Sequence, residues 1–144
     1  MLPAVAATIE HTLRRRVEQR PLAATDQALI DLLTATMGDR SREQVRALFL
    51  DRGNHLLRYE VVSDGTVGEA ALHPRELLRR AIELEASAVV IAHNHPGGCP
   101  EPSAADVAIT RRLIAFADEI QLAIHDHIIV AGDRWISMRA RGLL

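Results

Sequence analysis

Lysine is absent from this 144-residue chain, whose seventeen basic residues are all arginine. We read that as GC-rich coding rather than as function. Cysteine occurs once, at Cys99, so no internal disulfide can form. With no leader-like start, the chain reads as one kept in the reducing cytoplasm. Only four residues are aromatic (Trp 1, Tyr 1, Phe 2), so the core must be built from Leu, Ile, Val and Ala. No apolar run approaches the roughly 20 residues of a membrane span, and no membrane partner is expected. A net charge of −2 provides no global attraction to nucleic acid or acidic lipid. The local cluster Arg14-Arg15-Arg16 with Arg20 is the pattern of a solvated helix face.

What is there suffices for one domain with a real core, since a chain of this length buries roughly 70% of its unfolded surface. The pattern divides into a helical lead-in over 1–40 and a second part over 41–144 that carries the chemistry. Val5, Ile9, Leu13 and Val17 predict a helix from Met1 to about Arg20, interrupted by Pro21. Thr25 is the expected N-cap of a second helix that stops at Gly38. A strand starts at Gln44, turns at Asp51-Arg52-Gly53-Asn54 and returns from His55 to Val62. Val67 to Leu72 reads as extended. His73-Pro74 opens a helix with Leu77, Leu78, Ala81, Ile82 and Leu84 inward. Ala86 to Ala92 is a buried strand, and Ser103 to Ala117 a helix buried through Val107, Ile109, Leu113, Ile114 and Ala117. Gln121 to Val130 and Arg134 to Met138 close the chain as strands around Gly132-Asp133. Hairpins plus flanking helices predict an α/β sandwich with a mixed sheet.

The chain is organised around Ala92-His93-Asn94-His95-Pro96-Gly97-Gly98-Cys99-Pro100-Glu101-Pro102-Ser103-Ala104-Ala105-Asp106. On a strand, positions i and i+2 share a side with their Cα atoms roughly 6–7 Å apart. His93 and His95 are therefore a candidate metal pair. Asp106, in the first turn of the next helix, is the candidate third ligand, and two imidazoles, a carboxylate and an open position describe a catalytic zinc site. Ser103-x-x-Asp106 also resembles a capping box, which needs no metal, but a cap explains neither the two histidines nor the Pro/Gly loop. By chemistry alone Glu43, Glu60, Glu69, Glu101 and Asp126 all qualify as a general base. Cys99 is a candidate soft ligand in the loop, and His125-Asp126-His127 a second cluster. There, His125 and His127 should share a face, with Asp126 or His127 able to orient a ligand from behind.

The spacing His93-x-His95, seven residues, Ser103-x-x-Asp106 resembles the metal motif of the JAMM (MPN-plus, JAB-domain) metallopeptidases. The wider wording His-Asn-His-Pro-Gly-Gly-x-x-x-Pro-Ser-x-x-Asp is similar to the bacterial RadC branch of that group, and Asp126-His127-Ile128-Ile129-Val130 also looks RadC-like. The likeness runs from about Ser41 to the C-terminus. It implies a cytidine-deaminase-like α-β-α sandwich with a curved mixed sheet. It also implies one Zn²⁺ per chain on His93, His95 and Asp106, hydrolysis of a peptide or isopeptide bond in a protein substrate, and a glutamate base just before the first apolar strand. That place is filled by Glu43. Ser103 takes the family role of hydrogen-bonding the oxyanion. RadC-like proteins commonly carry an N-terminal helix-hairpin-helix that binds DNA, but residues 1–40 hold no glycine hairpin of that kind.

Two other readings use the same residues. Two histidines and a carboxylate also make the facial triad of non-haem iron oxygenases. A non-enzymatic MPN-type scaffold would bind DNA or a repair partner instead. The His-x-Glu and Pro-Cys-x-x-Cys pattern of the zinc deaminases is absent.

Overall fold

A computed structural model describes residues 3–23, 25–65 and 72–144. Its elements are α1 (Pro3–Glu18), α2 (Gln27–Met37), β1 (Gln44–Leu50), β2 (Leu56–Asp64), α3 (Pro74–Glu83), β3 (Ala88–Asn94), α4 (Ala104–Glu119), β4 (Ala123–Ala131) and β5 (Arg134–Ser137). The strands form one open mixed sheet in the order β2-β1-β3-β4-β5. The β1–β2, β1–β3 and β4–β5 pairs are antiparallel, and β3–β4 is parallel. The parallel pair needs a crossover, which α4 provides. The expected residues Val67 to Ala71, Glu69 among them, lie outside the described residues.

Both faces of the central strands β1, β3 and β4 are covered. On one, Leu48, Leu50, Val90, Ala92, Ile128 and Val130 pack with Leu29, Leu32, Leu33 and Met37 of α2. On the other, Val45, Ala47, Phe49, Val89 and Ile91 meet Leu77 and Ala81 of α3 and Leu113 and Ala117 of α4. Every residue of β3 is buried, as a strand covered on both faces must be. The core is aliphatic apart from Phe49 and Tyr59. Although α2 precedes residue 40, its apolar face belongs to the same core as the sheet.

Several local expectations are corrected. Asp26, not Thr25, caps α2, its carboxylate accepting from Ala28 N–H. Its negative charge suits the positive end of the helix dipole, and Arg20 Nη2 holds it at 2.7 Å. Ile82 is 63% exposed rather than inward, because Leu77 and Ala81 already define the buried stripe of α3. His125 and His127 do not share a face. Ile124 pairs with Val89 and Asp126 with Val90, so His125 is the extra residue of a β-bulge. After the bulge, Ile128 faces the α2 side with Asp126 in step with it, and His127 faces α4.

Gly38 ends α2 with helical dihedrals, φ −62° and ψ −36°, so left-handed backbone is not why glycine stands there. The reason is close approach. Gly132 N–H donates to Gly38 O at 3.0 Å, and a Cβ at position 38 would lie 2.1 Å from Gly132 O. Neither side is a flexible side chain that can yield. Gly38→Ala is expected to lower unfolding free energy by about 1–3 kcal/mol through this overpacking, read as a lower denaturant midpoint at unchanged slope.

Candidate metal centre

Strand β3 ends between β1 and β4, and His93 is its penultimate residue. His95 lies one residue beyond the strand, yet its N–H still donates to Val130 O at 2.9 Å. That bond extends the ladder and keeps His95 on the same side as His93. Their Nε2 atoms stand 2.8 Å apart. Asp106 Oδ2 is 3.5 Å from His93 Nε2 and 3.4 Å from His95 Nε2, and Glu43 Oε1 is 3.8 Å from His93 Nε2. One ligand atom from each of these four residues lies within 4.8 Å of the others. The His93 side chain is 3% exposed, whereas Glu43, His95 and Asp106 are 13, 19 and 20% exposed, so His93 is the buried member and the other three reach solvent.

Each side chain is held from behind. Ser103 Oγ accepts from Asp106 N–H at 3.0 Å, and Asp106 Oδ2 accepts from Ser103 N–H at 2.9 Å. The capping box is therefore real, and the oxygen that closes it is the one facing the histidines. His95 Nδ1 lies 2.9 Å from Cys99 O, a carbonyl that can only accept, so Nδ1 carries a hydrogen and Nε2 is the bare nitrogen of the neutral ring. Gly98, at φ +87°, gives the loop the left-handed step before that carbonyl. Glu43 is fixed by Asn94. The Asn94 amide oxygen accepts from Gln44 N–H at 2.8 Å and its NH₂ donates to Arg42 O at 2.9 Å, so the backbone is clamped on both sides of Glu43.

The electrostatics suit a cation. Burial alone would raise the Asp106 carboxyl, but the His93 and His95 imidazoles beside it and the Ser103 N–H outweigh it and hold the group well below the usual carboxylate range. The Asp106 carboxylate raises His95, against partial burial. Burial pushes His127, behind the cluster, well below the ordinary histidine value.

The donor set fits a divalent ion. Two bare imidazole nitrogens 2.8 Å apart repel unless positive charge lies between them. A tetrahedron with metal–ligand bonds of about 2.0–2.1 Å has edges of roughly 3.3–3.4 Å. The carboxylate–imidazole separations of 3.4 and 3.5 Å match such edges, and the imidazole pair needs only a small opening.

The chain matches the family described as the RadC-like JAB domain over residues 23–143. It is 44% identical over 143 residues to a UPF0758 protein of Rhodobacter capsulatus, covering 99% of this chain and 67% of that one. It is 39% identical over 143 residues to a UPF0758 protein of Ruegeria pomeroyi, covering 99% of this chain and 64% of the relative. This chain belongs to the RadC-like JAB family. It spans about two thirds of the length of those relatives.

Within this RadC-like JAB domain, the structure gathers Glu43, His93, His95 and Asp106, with Ser103 at the rim. Asp126 is not behind the ligands. It points to the opposite side of β4, where its carboxylate accepts from Ser137 Oγ and from the N–H groups of His127 and Arg139 at 2.7 and 3.0 Å. That carboxylate holds the β4–β5 end together. Cys99 meets the cluster through its carbonyl, and its side chain is exposed. His127 does stand behind the ligands, its Nε2 2.6 Å from His93 Nδ1.

Two contributors were not singled out from sequence, Asn94 and Thr110. Asn94 is placed by strand register. Val45 pairs with His93, so one more step of the antiparallel register sets Asn94 opposite Gln44, where the ladder ends and a side-chain amide can stand in for the backbone. Thr110 carried only the pattern of a helix-interior threonine.

Asn94→Ala is expected to leave the Gln44 N–H and the Arg42 carbonyl without their partner, costing about 1–3 kcal/mol of stability by denaturant titration. A second expectation concerns pH in chelator-treated protein. Asp106 is depressed, so its contribution is present above 3.8 and lost as pH falls through its folded value. His95 is raised, so its contribution is full below 6.5 and lost as pH rises through its higher folded value. The melting temperature should therefore be highest between those limits and decline on the acid and the alkaline side, and Asp106→Asn should flatten both slopes. Added Zn²⁺ should remove the alkaline decline, because ligation needs the neutral rings.

Proposed function

We propose that this chain is a metal-dependent hydrolase of amide bonds, acting on a peptide or isopeptide linkage in a protein substrate. The reading rests on one observation: a glutamate, two histidines and an aspartate converge at a solvent-facing sheet end, in a member of the JAB family. His93, His95 and Asp106 would hold one Zn²⁺ per chain. When bound, the ion supplies a Lewis acid and lowers the pKa of water in its open position to about 7.

The remaining steps fall to the protein. Glu43, set at the cluster by the Asn94 clamp, takes a proton from the attacking water and returns it to the departing amine. The Ser103 hydroxyl uses an oxygen lone pair to accept from Asp106 N–H, so its proton is available to the substrate carbonyl oxygen as negative charge develops there. Asp106 stays ionised throughout, consistent with its depressed carboxyl. The exposed, unpaired Cys99 fits a reducing cytoplasm. Among the described residues no helix is long and apolar enough to cross a membrane.

A panel of fluorogenic peptides and isopeptide-linked conjugates, assayed with Zn²⁺ and with a chelator, tests the proposal. Hydrolysis should require the ion. Glu43→Gln should lower the rate by about 10²–10⁴-fold while leaving zinc content unchanged. Hydrolysis that survives both the chelator and Glu43→Gln would overturn the assignment. Steeply salt-dependent DNA binding with no hydrolysis of any member of the panel would favour a scaffold instead.

A further inference from the structure

A chain of hydrogen bonds runs behind His93. Thr110 Oγ1 lies 2.7 Å from Asp106 O and 2.7 Å from His127 Nδ1, and His127 Nε2 lies 2.6 Å from His93 Nδ1. The Asp106 carbonyl can only accept, so the Thr110 hydroxyl proton is committed to it. The Thr110 oxygen then accepts from His127, which puts a hydrogen on His127 Nδ1. His127 is 2% exposed in a packed face, where a second hydrogen would make it a buried charge. Its Nε2 is therefore bare and accepts from His93 Nδ1–H. His93 Nε2 is left bare and faces the cluster.

We propose that His127 and Thr110 are positioning residues that fix the tautomer and ring orientation of His93, and so set the affinity of the centre for its ion. The inference rests on the metal-binding reading above. It adds to it a direction: the relay starts at the backbone carbonyl of Asp106, whose carboxylate faces the same cluster. Helix α4 thus sets two ligands at once, Asp106 directly and His93 through Thr110 and His127. His95 is fixed independently, by the Cys99 carbonyl. The bulge at His125 belongs to the device. Were His125 paired in the ladder instead of bulged out, strict alternation from Ile124 would turn His127 away from α4.

The test uses the full chain with Thr110→Val, Thr110→Ser, His127→Leu and His127→Gln. Zn²⁺ affinity is measured by competition with a chromophoric chelator, and ring tautomers by two-bond ¹H–¹⁵N correlation of labelled histidines. Thr110→Val preserves shape and removes the hydroxyl, and should weaken Zn²⁺ binding by about 10–100-fold, as should His127→Leu. Thr110→Ser should restore affinity. His127→Gln should retain most of it, because its amide oxygen accepts from His93 while its NH₂ donates to Thr110. Melting curves in chelator show which variants are folded, and the wild-type spectra need no variant. His93, His95 and His127 should each appear as the Nδ1–H tautomer in the wild-type chain. Unchanged Zn²⁺ affinity in folded Thr110→Val and His127→Leu would overturn the proposal, as would an Nε2–H tautomer at His93. A wild-type chain that binds no Zn²⁺ would sink the metal reading, and the tautomer pattern would then decide the relay alone.

Discussion

The constraint on which this structure turns is the 2.8 Å separation of His93 Nε2 and His95 Nε2. Neighbouring imidazoles can relieve such an approach by sharing a proton or by rotating. Here both escapes are restricted. His95 Nδ1 is committed to the Cys99 carbonyl, and His93 Nδ1 faces His127. In the neutral rings the second nitrogen of each is thus left without a hydrogen and aimed at the other. Asp106 and Glu43 bring negative charge to the same point. A divalent cation at that point would satisfy all four groups together: the carboxylate–imidazole separations already match tetrahedral edges, and the imidazole pair would open from 2.8 Å to take the ion.

Holding four side chains at one point requires the elements behind them to be stiff, and the fold provides that by burying β3 on both faces. A parallel pair with β4 and an antiparallel pair with β1 leave β3 no freedom to slide, since a one-residue slip would send His93 to the α2 side. Glu43 comes from just before β1, His93 from β3, and Asp106 from α4, so the cluster samples three elements joined through one sheet. The close approach of Gly38 and Gly132 ties α2 to the β4–β5 turn at the same end of β4 as Val130, whose carbonyl holds His95. Packing far from the ligands therefore bears on their geometry.

Much of this was legible in the residues. His93, His95 and Asp106 could be nominated from alternation and capping chemistry, and the order of helices and strands from periodicity and turn residues. What sequence could not supply has physical reasons. Residue chemistry left Glu43 one of several carboxylates and only the family resemblance chose it, because its place at the cluster depends on β1 lying beside β3, which is a tertiary fact. The separation of Asp126 from His127 by function depends on alternation, which survives, but the expected pairing of His125 with His127 across one face fails because a bulge adds a residue without any local marker such as glycine. Thr25 lost its place as a cap to Asp26 because two adjacent residues both have capping chemistry and only the chain path from Arg20 selects between them. Thr110 and Asn94 act through contacts with residues 17 and 50 positions away in sequence, beyond the reach of any local pattern.

The capping box and the ligand set first look like rival explanations of Ser103-x-x-Asp106, one needing no ion and the other no cap. The coordinates make them one arrangement, because Asp106 Oδ2 accepts from Ser103 N–H and also faces both histidines. Glutamate is the usual residue at this position of a capping box, and its extra methylene would carry the carboxylate further from its own backbone. Aspartate keeps the charge near the helix start, where the dipole of α4 favours it. The cap then does for Asp106 what the Cys99 carbonyl does for His95: it removes rotational freedom that would otherwise be lost when a ligand binds, so less entropy opposes binding. On this view the strength of the centre comes as much from the bonds that immobilise its donors as from the donors themselves.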